Sequence, residues 1–342
     1  MSRLQRKIVV AFELLFLLII AIGKSNAQLP YFTQYSQNQL NINPAFAGYF
    51  DEDLKFDAVY RRQSYSNIIS TSFYNADLQF KPFKEYISGE DVLGFGLNMY
   101  SSKSLSVFSE QSASASISYS KGFDEEANQS LALGFQCRYN SKRIDYTQLL
   151  FPNQFDLTGY SFQLMNNEPI QALNAQYIDI NSGLLYSIKN ENEEYTAGFS
   201  MYNLNQATGN KALLQNRQSV TYMFNTGYSR YVSNNSQLFF GLLYSALKSQ
   251  HSTALIASYG YDAQPEFLFS LNVGAILQVG NSVSPFLSIG SKAMSFSFTY
   301  DIPVNSNISY MKSNALEFGF RYSFSRLTPD ETIVKKHISC FK

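Results

Sequence analysis

From Leu54 to Phe324 the chain repeats one pattern, about ten residues alternating apolar and polar and then a turn, which is the spacing of membrane-crossing strands. Tyr74, Ala76, Leu78 and Phe80 alternate with Asn75, Asp77, Gln79 and Lys81. Leu316, Phe318, Phe320, Tyr322 and Phe324 alternate with Glu317, Gly319, Arg321 and Ser323. A period of two sends successive side chains to opposite faces of a strand. One face is apolar and the other polar along most of the chain. The pattern predicts an all-β protein, a transmembrane antiparallel β-barrel with lipid outside and water or polar packing inside.

Matching these segments against turn signals gives fourteen strands. They fall at 54–63, 71–81, 92–101, 112–121, 131–141, 177–189, 195–203, 218–230, 237–248, 251–261, 267–278, 283–291, 293–301 and 315–324. Pro285 removes a ladder donor, so a bulge or a displaced boundary is expected there. If the chain enters from the periplasm, the turns after even strands are periplasmic and short, as at 190–194, 262–266 and 291–292. The longest connection, 142–176, follows the fifth strand and falls on the other side. A soluble β-sandwich also alternates, but its strands usually run to about 5–6 residues. The segments here reach the roughly 9–11 residues of a membrane-crossing strand.

The ends do not alternate. Arg3, Arg6 and Lys7 precede an apolar run at 8–22 broken only by Glu13, and Ser25-Asn26-Ala27 follows. This reads as a secretory signal peptide cleaved after Ala27. The run is shorter than the ~20 residues of a spanning helix. The chain therefore divides into a signal peptide (1–27), an N-terminal periplasmic or plug segment (28–53), the barrel (54–324) and a short periplasmic C-terminal tail (325–342). In the second part Tyr31, Phe32, Tyr35, Leu40 and Phe46 interleave with amides, and Asn43-Pro44 marks a turn. A flexible leader is one reading. An ordered plug or docking segment is the other, because those rings need burial. The tail, with Lys335-Lys336-His337, reads as a solvated end or a short contact arm.

Composition narrows the chemistry. The 25 Tyr and 29 Phe suit interfacial girdles. The leader removes Arg3, Arg6, Lys7 and Lys24 but only Glu13, which leaves a slightly acidic chain with nothing that suggests nucleic acid. Cys137 reads as a small hydrophobe on an apolar face, and Cys340 lies in the tail, so no disulfide framework is expected. His251 and His337 stand apart from any metal-spaced cluster. Gly94-Phe95-Gly96 belongs to a strand, and no Ser-His-acid set can be assembled. No catalysis, cofactor or metal is expected. Adjacent Arg61 and Arg62 must face opposite sides, one inward and one snorkelling to the interface. Arg138 and Arg321 are expected in the lumen, as ion pairs or as pore-tuning charges.

The last strand, with Glu317, Gly319, Tyr322 and Phe324, fits the signal by which an assembly machinery recognises a terminal outer-membrane strand. The N-terminal segment carries a more specific signal in Tyr31, Gln34-Tyr35, Asn38, Leu40, Asn43-Pro44-Ala45 and Ala47-Gly48. Phe151-Pro152-Asn153-Gln154, Gly198-Phe199-Ser200 and Asn203-Leu204 accompany it. Together these residues resemble the PorP/SprF family, outer-membrane proteins of the type IX secretion and gliding machinery of Bacteroidetes. The Cys340-Phe341 ending departs from the family pattern in lacking a Pro. The resemblance implies an outer-membrane barrel embedded in lipid that assists export or surface anchoring of cargo proteins. Such cargo carries a C-terminal sorting domain, and the barrel meets secretion components on the periplasmic side. A porin-like channel for small solutes is the alternative, and a stand-alone adhesin using 142–176 a weaker third.

Overall fold

A strand in lipid must find hydrogen-bonding neighbours on both edges, and only a closed sheet provides them throughout. The computed structural model describes residues 32–65, 69–81, 91–104, 107–123, 128–145, 155–156, 159–160, 173–207, 218–233, 235–248, 250–263, 269–291, 293–304 and 313–325. The fourteen alternating segments each form one strand, and the sheet closes on itself. The first five are β1 (Leu54–Tyr65), β2 (Ile69–Phe80), β3 (Val92–Ser104), β4 (Phe108–Gly122) and β5 (Gln129–Ile144). A small ribbon outside the barrel, β6 (Phe155–Asp156) with β7 (Gly159–Tyr160), lies in the next connection. The barrel resumes with β8 (Leu173–Lys189), β9 (Glu193–Tyr202), β10 (Thr221–Ser233), β11 (Ser236–Leu247) and β12 (Gln250–Ala263). It ends with β13 (Phe269–Gln278), β14 (Ser282–Gly290), β15 (Met294–Pro303) and β16 (Ser313–Phe324).

All neighbours are antiparallel, and β1 closes the ring against β16 with Leu54 opposite Phe324. We call the rim where β1 starts and β16 ends the near rim. Connections there are mostly short, such as 190–192 and 291–293, whereas 145–172, 203–220 and 304–312 cross the far rim. Pro285 makes no bulge. The β14–β15 ladder lapses after Val283 opposite Ile302 and resumes at Phe286 opposite Thr299 in unchanged register. The missing N–H removes bonds from the ladder without inserting a residue, so the strand continues in register.

Leu131, Leu133, Phe135 and Tyr139 of β5 are exposed on the outer face, while Ala132, Gln136 and Asn140 are buried inside. Cys137 is exposed on the outer face, and Arg62 also points out while Arg61 is buried. The inner wall has two arcs of different character. Lys55, Asp57, Arg61, Asp301 and Glu317 line β15, β16 and β1, whereas Phe239, Leu243, Ala254, Ile256 and Ile276 line β11–β13. That apolar arc belongs to one buried cluster with Tyr35, Ile42, Ala45 and Phe46 of the segment preceding β1.

Candidate functional site

The segment before β1 has too few residues between its turn signals for a long helix, and Pro44 breaks any helix across it. It folds as three single 3-10 turns, Tyr35–Gln37, Gln39–Asn41 and Pro44–Phe46. Asn43 starts the last of them, its Oδ1 accepting the Ala45 N–H at 2.9 Å. Such short turns leave many carbonyls without partners, and buried carbonyls require them. The barrel wall supplies donors. Gln136 Nε2 and Tyr202 Oη donate to Leu40 O at 3.1 and 3.2 Å, and Ser200 Oγ donates to Ile42 O at 2.6 Å. Ser118 donates to Ala45 O, Arg321 to Ser36 O at 2.5 Å, and Lys81 to Phe50 O. The segment is thus a plug inside the lumen whose carbonyls accept from inward side chains of β4, β5, β9 and β16 and from Lys81 just after β2.

The plug is held at three levels. In the far half of the lumen, Glu317 accepts the backbone N–H groups of Thr33 at 2.6 Å and Gln34 at 3.0 Å. Arg61 pairs with Glu317 at 2.5 Å and with Asp301 at 2.8 Å, and the Thr33 hydroxyl donates to Asp301 at 3.0 Å. Phe32 packs edge-on against Phe73 and Tyr100 beside them. At mid-depth, Asn43 Nδ2 donates to Leu184 O at 2.8 Å, and Arg138 donates to Asn41 Oδ1 at 2.6 Å while lying over the Tyr202 ring. At the near rim, Tyr49 Oη donates to Glu194 at 2.6 Å, and both Lys55 and Lys81 sit over the Phe50 ring. Burial pushes the Tyr49 phenol well above its ordinary pKa, and the Glu194 carboxylate pushes it further.

The wall is hollowed to receive the plug. Gly134 and Gly183 stand opposite each other on β5 and β8. A Cβ on Gly134 would lie 2.3 Å from Ala45 N, and one on Gly183 would lie 1.9 Å from Asn43 Oδ1. On β16 a Cβ at Gly319 would meet Gln37 Oε1 at 1.7 Å. Nearer the rim Gly48, at φ +80, packs against Gly94 so closely that its own Cβ would lie 2.6 Å from Gly94 Cα. Only glycine fits either requirement at position 48.

Gln34, Tyr35, Asn38, Leu40, Asn43, Pro44 and Gly48 all lie in the plug, whereas Tyr31 lies outside the described residues. Asn38 accepts from Asn41 Nδ2 at 2.5 Å and holds the second turn. Arg138 and Arg321 both face the lumen, the latter paired with Asp57 at 2.6 Å. Of the terminal-strand residues, Tyr322 and Phe324 face out, whereas Glu317 and Gly319 face in and touch the plug. The plug also does not keep to the near rim, where strand parity placed both ends of the barrel chain. Its described part runs from Phe32 in the far half back to Asp53 beside Phe324. Asp301, Glu194 and the glycine pair escaped sequence reasoning. Their trace was inward glycines on neighbouring strands, which alternation alone reads as merely small. The signal peptide, the 151–154 run, Lys335-Lys336-His337, Cys340 and the tail from 326 lie outside the described residues.

Among solved structures, the chain is similar to the toluene transporter TbuX of Ralstonia pickettii, at 10% identity and TM-score 0.51 over 83% of this chain and 93% of that one. It is also similar to the toluene transporter TodX of Pseudomonas putida, at 8% identity and TM-score 0.50 over 89% of this chain and 96% of that one. At such identities the likeness is one of fold. No curated protein matches the chain. The sequence model of the family described as "Type IX secretion system membrane protein PorP/SprF" matches residues 24–322.

Proposed function

The chain belongs to the PorP/SprF family of type IX secretion system membrane proteins, and on that premise we propose that it is a non-catalytic outer-membrane component that binds other proteins. Its near rim meets secretion components in the periplasm, and it assists export or surface anchoring of cargo with a C-terminal sorting domain. The observation that carries this reading is the plug. Residues 32–53 are bonded to the wall on β1, β2, β4, β5, β8, β9, β15 and β16 and packed on its apolar arc. A solute channel needs a lumen that stays wet and open, whereas this section is filled by built-in chain.

Two measurements test the proposal. Purified protein in planar bilayers should give no steady, solute-dependent conductance, and such pores would overturn the scaffold reading. A strain lacking the protein should lose at least one surface protein that carries a sorting domain. Full display of all of them would refute the secretion role.

A further inference from the structure

The outer wall carries a feature that lumen plugging does not use. On β1 to β5, register aligns Arg62 with Ser72, Ser72 with Lys103, Lys103 with Ser109, and Ser109 with Arg143. All five positions are on the outward-facing parity of their strands, and the three cations are exposed. They stand on alternate strands, roughly 10 Å apart at two strand spacings of ~4.8 Å, with a serine hydroxyl between each pair. Arg143 also meets Asp145 at 3.5 Å and keeps a largely exposed side chain.

One register row toward the near rim lie Tyr60 and Tyr74, ring centroids 5.0 Å apart. Tyrosines at this level mark the boundary between hydrocarbon and headgroups. Beyond them the wall is indented. Ala58, Ala76 and Ala113 are small where the flanking outward residues include Phe320, Met99 and Tyr139, and the hollow holds ≈ 770 Å³. It opens on the membrane face, crosses the β1–β16 seam and ends beneath the cation row. On the opposite side of the barrel, outward positions near the far rim are Tyr222 and Leu277. Among the described residues there, Lys248 lies in the β11–β12 turn and no cation stands on the outward strand face. A collar that served only to seat the barrel at the interface would not be confined to the arc above this hollow.

We infer that this arc is a binding site for an anionic phospholipid of the surrounding membrane, with its headgroup on Arg62, Lys103 and Arg143 and an acyl chain in the hollow. Exposed guanidinium and ammonium groups match phosphate charge, and the serines add hydroxyl donors between them. The hollow's lining is mainly hydrocarbon and aromatic, with Ser101, Gln111 and Ser141 at the end below the cation row, and its mouth meets hydrocarbon, so an acyl chain is the group that fits it.

The test is native mass spectrometry of the intact barrel titrated with phosphatidylglycerol or with phosphatidylcholine. The expected result is retained phosphatidylglycerol, weakened at least tenfold in R62S/K103S/R143S and also in A76F, which fills the hollow. Both sets of changes lie on the outer face, and heat-dependent gel mobility checks that the barrel has formed. Equal retention of phosphatidylcholine would overturn the headgroup assignment, as would unchanged binding by the triple variant. Unchanged binding by A76F would overturn the acyl-chain assignment. Displacement by millimolar inorganic phosphate alone would reduce the site to an anion contact and overturn the lipid.

Discussion

The two inner arcs of the barrel hold the same plug by different means. On β15, β16 and β1, Glu317 accepts the backbone N–H groups of Thr33 and Gln34 at 2.6 and 3.0 Å, while Asp301 and Arg61 bond the Thr33 hydroxyl and Arg61 pairs with both carboxylates. On β11–β13, Phe239, Leu243, Ala254, Ile256 and Ile276 form one apolar cluster with Tyr35, Ile42 and Phe46. Directional bonds to buried charges tolerate little displacement, because an unpaired buried charge is costly. Apolar contact is non-directional and scales with area. The charged arc therefore sets where the plug sits, and the apolar arc sets how firmly it is held.

The largest effect is expected from Glu317→Ala. It leaves Arg61 with Asp301 and the Thr33 hydroxyl and strips two plug N–H groups of their acceptor, a loss of about 3–5 kcal/mol for breaking a buried pair. Urea unfolding followed by gel mobility should show the drop, and bilayer recordings should show intermittent current as the plug loosens. Phe46→Ala, fully buried in the apolar cluster, should cost about 3 kcal/mol through the cavity it leaves, yet keep the lumen closed. If Phe46→Ala leaks as readily as Glu317→Ala, the division of labour between the arcs fails. Gly183→Ala drives a methyl toward Asn43 and should cost about 1–3 kcal/mol as overpacking, read by protease sensitivity of the plug. Tyr49→Phe should be mildest, about 1 kcal/mol for one hydrogen bond. The folded-state pKa of Tyr49 is raised, so its contribution is complete below the unfolded value of about 10 and is lost only above it. The difference between wild type and Tyr49→Phe should therefore stay constant from about pH 7 to 9 and shrink above about pH 10, as urea midpoints would report.

The strands were legible because lipid and lumen lie on alternate sides, and fourteen alternating segments became fourteen barrel strands. The alternation is weakest at Leu242-Leu243 and Ala254-Leu255-Ile256, where the inward positions are themselves apolar. Those positions face the greasy side of the plug. A local blur in the pattern was thus a tertiary signal, one that period-two reasoning takes for noise. The plug itself announced its need for burial through its aromatic residues but not its place. That depends on Gly134, Gly183 and Glu317, which are far from it in sequence and whose alternation fixes only that they face inward, not what they meet. Arg138 and Arg321 were legible as inward by parity, whereas their plug partners, Asn41 Oδ1 and the Ser36 carbonyl, were not.

The bond between Thr33 and Glu317 joins residues separated by 284 positions. Glu317 lies on β16, the strand whose pairing with β1 completes the ring. During synthesis the plug emerges first and the strand that secures it emerges last. Until β16 is seated, the far half of the plug has neither Glu317 nor the hollow at Gly319 to receive it. The far half of the plug is therefore secured only once the wall has closed. A chain truncated before Glu317 would leave the buried Arg61 guanidinium short of its second carboxylate.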